Sequence, residues 1–163
     1  MFSTKRIIFA FGLLLGLVTL MGTTCNKEDN PPDDNCTGYI QATASGYINQ
    51  NFCFDSNPQY TFDEANELLN FSANVTIDGV TYSCDVSVSP YSGPNTYNCG
   101  SDNPGYVELI LHGDESEYYK SQSGTVTVTQ ADATHFVATF TVEAKGYYNE
   151  QTVNISGSVM RVQ

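Results

Sequence analysis

From residue 39 onward the chain alternates apolar and polar side chains. Val80, Tyr82, Cys84, Val86 and Val88 fall on one side of a two-residue repeat, and Thr81, Ser83, Asp85 and Ser87 on the other. A period of two belongs to a half-buried antiparallel strand, whose successive side chains point to opposite faces. Phe136, Ala138, Phe140, Val142 and Ala144 repeat the pattern against Thr139, Thr141 and Glu143. Val153, Ile155, Gly157 and Val159 do so against Asn154, Ser156 and Ser158. Valine and threonine recur because branched side chains pack well on a pleated surface. The pattern predicts eight strands, at residues 39–45, 47–54, 68–77, 80–89, 106–112, 124–130, 135–144 and 151–162. Asp78-Gly79 predicts a two-residue hairpin, because glycine tolerates the positive φ of a primed turn. Residues 130–134 and 145–150 read as further hairpin loops. Thr61-Phe62-Asp63-Glu64 has capping-box spacing and predicts one helical turn before the third strand. Many short, evenly spaced strands argue for an all-β domain, an antiparallel β-sandwich with a β-barrel as the alternative.

The head of the chain breaks this pattern. Lys5 and Arg6 precede a nearly unbroken apolar run from residue 7 to residue 21, and Gly22, Thr23 and Thr24 lead into Cys25. A membrane-spanning helix needs about 20 apolar residues. The shorter run, with its basic start, is expected to be a cleaved signal peptide over residues 1–24. It resembles the signals of lipoproteins cut by signal peptidase II, in which the cysteine at the cut is diacylated. Leu20 sits two places further back than the leucine of those signals, and Thr24 stands where Gly, Ala or Ser is usual. Asn26-Lys27-Glu28-Asp29 resembles the tag that sends Bacteroidota lipoproteins to the outer face of the outer membrane. The resemblance implies a lipid anchor on Cys25 and a domain facing outward. Residues 25–37 hold Pro31, Pro32, Asp33 and Asp34, a composition that stays extended as a linker. Residues 38–163 then form the β domain.

Charge and cysteines narrow the partners. The whole chain carries −12 at pH 7. Removing Lys5 and Arg6 with the signal leaves 4 basic residues against 18 acids, hence −14. Such a field repels nucleic acid and anionic headgroups. Five cysteines are an odd number, and lipidation of Cys25 leaves Cys36, Cys53, Cys84 and Cys99. An exported chain meets an oxidising compartment, so two disulfides are expected. Nearest neighbours, Cys36 with Cys53 and Cys84 with Cys99, are one of the three possible connectivities. Cys-x-x-Cys is absent, and neither His112 nor His135 lies near paired cysteines, so no metal or other cofactor is expected.

The last third of the chain carries a second resemblance. Ser123-Gly124-Thr125-Val126-Thr127-Val128-Thr129, Ala138-Thr139-Phe140-Thr141-Val142-Glu143-Ala144 and Val153-Asn154-Ile155-Ser156-Gly157-Ser158-Val159 resemble a family of small uncharacterised Bacteroidota lipoproteins. The Ile77-Asp78-Gly79 hairpin and the lipoprotein head belong to the same likeness. Ala138 stands where that family has Gly, and Val159 where it has an aromatic residue. The resemblance implies architecture and address, and it brings no catalytic residues.

The chemistry that remains is sparse. The sequence holds no Gly-rich phosphate loop, HExxH or EF-hand pattern, and the domain is not expected to be an enzyme. His112-Gly113-Asp114 and His135 stand at strand ends, where a histidine is ordinarily a surface residue. Asp114-Glu115-Ser116-Glu117 and Ser101-Asp102-Asn103 could offer oxygens to calcium, although acidic loops are ordinarily just solvated. Tyrosine stands out, with eleven Tyr and no Trp. Tyr82 and Tyr106 read as strand residues. Tyr91, Tyr97, Tyr118, Tyr119, Tyr147 and Tyr148 fall in or beside polar loops. Rigid amphipathic rings in such loops suit recognition of an extracellular protein or glycan, unless they cap the ends of the core. The composite expectation is a non-catalytic, surface-anchored binding or envelope module. A hydrolase with an unrecognised site and a protease-inhibitor-like domain are the alternatives.

Overall fold

The computed structural model describes residues 36–113 and 116–162. The expected signal peptide, Cys25 and the linker up to residue 35 lie outside the described residues, as do Asp114 and Glu115. Ten strands form: β1 Ile40–Gly46, β2 Gln50–Phe54, β3 Ser56–Asp63, β4 Leu68–Ile77, β5 Val80–Val88, β6 Asn95–Asn98, β7 Gly105–His112, β8 Glu117–Ala131, β9 His135–Gly146 and β10 Thr152–Val162. Strand pairing is antiparallel throughout, in the order β2-β1-β10-β9-β8-β7-β5-β4-β3. β6 lies beside the second half of β8, pairing Asn95 with Val128 and Asn98 with Thr125.

The two ends of this order, β2 and β3, are separated in sequence by Asp55 alone. Residues 50–63 are therefore one bent run whose first half pairs with β1 and whose second half pairs with β4. The chain itself joins the two edges, and the sheet is nearly closed into a barrel. Closure removes unpaired edges that would otherwise invite aggregation. A side chain reinforces it: the Tyr60 hydroxyl on β3 donates to the carbonyl of Asp132 at 2.6 Å, in the β8–β9 hairpin, and lies 3.1 Å from that of His135.

The alternating faces emerge where the sequence places them. Phe136, Ala138, Phe140, Val142 and Ala144 are buried, as are Cys84, Val86, Val88, Val153, Ile155 and Val159. β1 adds Ile40, Ala42 and Ala44, β2 adds Phe52 and Phe54, and β4 adds Leu69, Phe71 and Ala73. The ring of Phe71 lies 6.2 Å from those of both Tyr60 and Phe136. Each large apolar side chain removed from water contributes about 1.5–3 kcal/mol, so this interior supplies most of the drive to fold. Asp78 and Gly79 take φ of 52° and 82°, as a primed hairpin turn requires.

Three expectations are corrected. The strand count rises from eight to ten, because β3 and β6 lack the alternation that flagged the others. β3 is largely exposed, and β6 has four residues with only Tyr97 buried. The predicted helical turn at residues 61–64 is instead the end of β3. Asp63 Oδ1 accepts the N–H groups of Ala65 and Asn66 at 3.0 and 3.1 Å, and Oδ2 accepts the Asn66 amide at 2.6 Å. A short carboxylate bonded to its own backbone competes with helix and closes a turn.

The disulfides are the third. Cys36 and Cys53 are bonded, with Cα atoms 5.5 Å apart. Cys84 and Cys99 are buried free thiols. Cys99 bridges to Gly105, which pairs with Val88, four residues along β5 from Cys84. At about 3.3 Å per residue that is roughly 13 Å along the strand. A disulfide needs Cα atoms within about 7 Å.

Candidate binding surface

The strand that carries Tyr118 and Tyr119 begins at Glu117, earlier than the pattern predicts, and this sorts the tyrosines. Along β8, Glu117, Tyr119 and Ser121 face inward, while Tyr118 and Lys120 are half-exposed on the outer face. Tyr119 is fully buried. Tyr97 is buried on β6, and its hydroxyl accepts the Ser92 N–H at 3.0 Å and donates to the carbonyl of Gly93. Tyr91 is half-buried, its ring 6.1 Å from Phe62 and 6.0 Å from Tyr97. The six candidate tyrosines therefore do not share one surface. Tyr97 and Tyr119 belong to the core and Tyr91 packs against it. Of the six, only Tyr147 and Tyr148 are strongly exposed, at 65% and 68%; Tyr47, outside the six, is exposed as well. Their rings meet edge to face with centroids 4.8 Å apart.

What holds this pair out is a carboxylate beneath it. Glu117 is 8% exposed. Its Oε1 accepts the Tyr148 N–H at 2.9 Å, and its Oε2 the Asn149 N–H at 3.0 Å. Successive backbone N–H groups aimed at one anion form a concave nest, and here the chain fills the nest with its own side chain. Asn149 completes the turn. Its amide donates to the Tyr119 hydroxyl at 2.7 Å, and its Oδ1 accepts the Gln151 N–H at 2.9 Å. The Tyr147 N–H donates to the carbonyl of Tyr118 at 2.9 Å. Gly146 is needed where β9 enters the turn. A Cβ there would lie 2.1 Å from Asn149 Oδ1 and 3.1 Å from Glu117 Oε1. The two exposed rings thus stand on a turn whose backbone donors are largely satisfied from below.

Beside the turn lies a recess of about 220 Å³, lined by Lys120, Gln122, Lys145, Gly146, Tyr147 and Glu150. Lys120 on β8 and Lys145 on β9 are direct cross-strand partners. The Lys120 ammonium lies 5.6 Å from the centroid of the Tyr147 ring and 5.9 Å from that of Tyr118. It is 3.8 Å from Glu108, and Lys145 is 3.7 Å from Glu150. The same rung continues across the sheet, since Glu108 pairs with Lys120, Asp85 with Glu108, and Ser72 with Asp85. Two acids and two bases therefore stand in sequence on four neighbouring strands. Burial raises the carboxyl pKa of Asp85 and of Glu108, and the charge of Lys120 partly offsets the rise at Glu108.

The two histidines, each at a strand end, bond to neighbouring side chains. His112 Nε2 lies 2.6 Å from Ser83 Oγ, which also donates to Asn74 Oδ1 at 2.7 Å. Asp85 bonds Ser72 and acts on His112 through its charge, so among the described residues no acid completes a chain of acid, imidazole and hydroxyl at His112. His135 pairs with Asp132 at 3.0 Å in the β8–β9 hairpin. There Asp132 Oδ1 also accepts the N–H groups of Thr134 and His135, each at 2.8 Å, and shapes the turn. Among the described residues no group of three or more His, Cys, Asp or Glu side chains could hold a metal ion. In the two acidic stretches that could offer oxygens to calcium, Glu117 is bonded to the 147–149 turn and Asp102 sits in a tight turn at a φ of 65°.

Reading the sequence missed Lys120 and Lys145, and it gave Glu117 only as an oxygen donor to calcium. The available signal was the alternation of Glu117, Tyr119 and Ser121, which continues the strand upstream, and the rarity of lysine in an acidic chain. No family model, curated protein or solved structure matches the chain. The functional reading therefore rests on the geometry.

Proposed function

We propose that this is a lipid-anchored envelope protein, held in the outer membrane through Cys25 and facing outward, whose β domain is a non-catalytic binding module for an extracellular protein or glycan. The observation that carries the binding role is the Tyr147–Tyr148 pair. Two large rings stay exposed side by side in edge-to-face contact, and a buried carboxylate fixes the turn beneath them. Rigid aromatic rings give contact area at low entropic cost, which suits recognition. The signal-like head supports the anchor, because two acyl chains hold a protein stably without a spanning helix.

Two measurements test this reading. Cys25→Ser should abolish incorporation of labelled palmitate and release the chain from the membrane fraction. Tyr147→Ala combined with Tyr148→Ala should keep the fold and lose retention on immobilised envelope and mucus glycoproteins. Equal retention of the double variant and the unaltered protein would remove the binding role. Unchanged labelling of the Cys25 variant would remove the anchor.

A further inference from the structure

We propose that the recess between β8 and β9 is a site for one carboxylated sugar residue, such as a uronic acid at the end of an otherwise neutral glycan. This deepens the reading of the domain as a binding module and rests on it. The first observation is the placement of charge. Among the described residues the basic side chains are Lys120, Lys145 and Arg161, and two of these three face each other on one rung. Like charges directly opposite destabilise a sheet. Each of the two has an acid on its outer side, Glu108 for Lys120 and Glu150 for Lys145, and an anion between them would offset the remaining repulsion with two charge-assisted hydrogen bonds.

The neighbouring acids leave room for such an anion. Glu108 draws Lys120 from the β7 side, away from Lys145. Glu150 approaches Lys145 from the turn with its side chain 77% exposed. An ion pair that open to water is weak, so an incoming carboxylate can replace it. Glu143 is exposed on the same face of β9, and the Glu117 carboxylate beneath Gly146 is held by the Tyr148 and Asn149 N–H groups. The tyrosines give the site its second half. Tyr118 and Tyr147 flank the Lys120 ammonium, and cation–π attraction holds it at the recess. Tyr147, itself a wall of the recess, offers an exposed apolar face to a sugar ring, and Gln122 offers an amide to its hydroxyls.

Size and field choose among anions. Pockets for drug-sized ligands run from about 300 to 1,000 Å³. A recess of about 220 Å³ fits one sugar ring. The strongly negative chain repels a polyanion, but its field is screened beyond about 8 Å at physiological salt. A single carboxylate on a neutral glycan meets the lysines without meeting the rest of that field.

The test uses the full chain in detergent micelles, titrated with glucuronate, glucose and acetate and followed by calorimetry and by amide NMR. Glucuronate should bind at least tenfold more tightly than glucose or acetate, move the signals of Lys120, Lys145 and Tyr147, and weaken as NaCl rises. Lys120→Gln and Lys145→Gln should each weaken glucuronate at least tenfold; Lys145→Gln should hold Tm, because its pair with Glu150 is open to solvent, and Lys120→Gln should lower Tm, because it leaves half-buried Glu108 without its partner. Glu143→Gln should not weaken it. Equal binding of glucuronate and glucose, or full affinity in both lysine variants, would overturn the inference. Should the lysine variants keep retention on the immobilised glycoproteins while the tyrosine double variant loses it, the acidic-sugar site falls and the binding module stands.

Discussion

Asp85 on β5 and Glu108 on β7 stand directly opposite each other on the outer face of the sheet. Side chains so placed have Cβ atoms about 5 Å apart, and like charges there repel. Burial is the main reason both carboxyls titrate above their ordinary values, with the Lys120 charge working against the shift at Glu108. The folded state therefore prefers them protonated. Their contribution to stability is fullest below the ordinary carboxylate range and is lost as pH rises through the window up to the raised values. Asp85→Asn should raise Tm at pH 7 and leave it little changed at about pH 4. Melts across that range check this. A lower Tm at neutral pH would mean that the Asp85–Ser72 bond outweighs the repulsion.

Glu117 supports the exposed rings through two backbone N–H groups. Hydrogen bonds to a charged group contribute about 1.5–3 kcal/mol each, and a buried donor left unpaired is costly. Glu117→Ala should destabilise the domain by about 3 kcal/mol and accelerate hydrogen exchange at the Tyr148 and Asn149 amides. Exchange at β4 and β5 should change only with the global stability.

The tyrosines should divide by burial. Tyr119→Ala removes a fully buried ring and the hydroxyl that accepts from Asn149, and should cost about 3–5 kcal/mol. Replacing both Tyr147 and Tyr148 by alanine should shift stability by no more than about 0.5 kcal/mol per site. Urea titrations of the three variants give the comparison.

Cys84 and Cys99 should resist alkylation in the folded protein. Burial raises both thiol pKa values, that of Cys99 to about 11, so little thiolate exists at neutral pH. Iodoacetamide at pH 8 should label neither until denaturant is added, after which mass spectrometry should find both modified. Cys36 and Cys53 should become reactive only after reduction.

The sequence by itself determined the class of the fold. Residues 80–88, 135–144 and 151–162 each repeat every second position, and a period of two has one structural solution when one face must be buried. Asp78-Gly79 was legible because a two-residue turn leaves few alternatives, whereas the Cys36–Cys53 pair was one of three connectivities the sequence left open. The tertiary structure decided everything that depends on distance along the sheet. It turned residues 56–63 into a closing strand, left Cys84 and Cys99 apart, and took Tyr97 and Tyr119 into the core. It also brought Glu117 under residues 31 and 32 positions away, and set Lys120 opposite Lys145. Alternation tells which face a side chain occupies. Register across strands tells what it meets there, and register is fixed only when all the faces pack together.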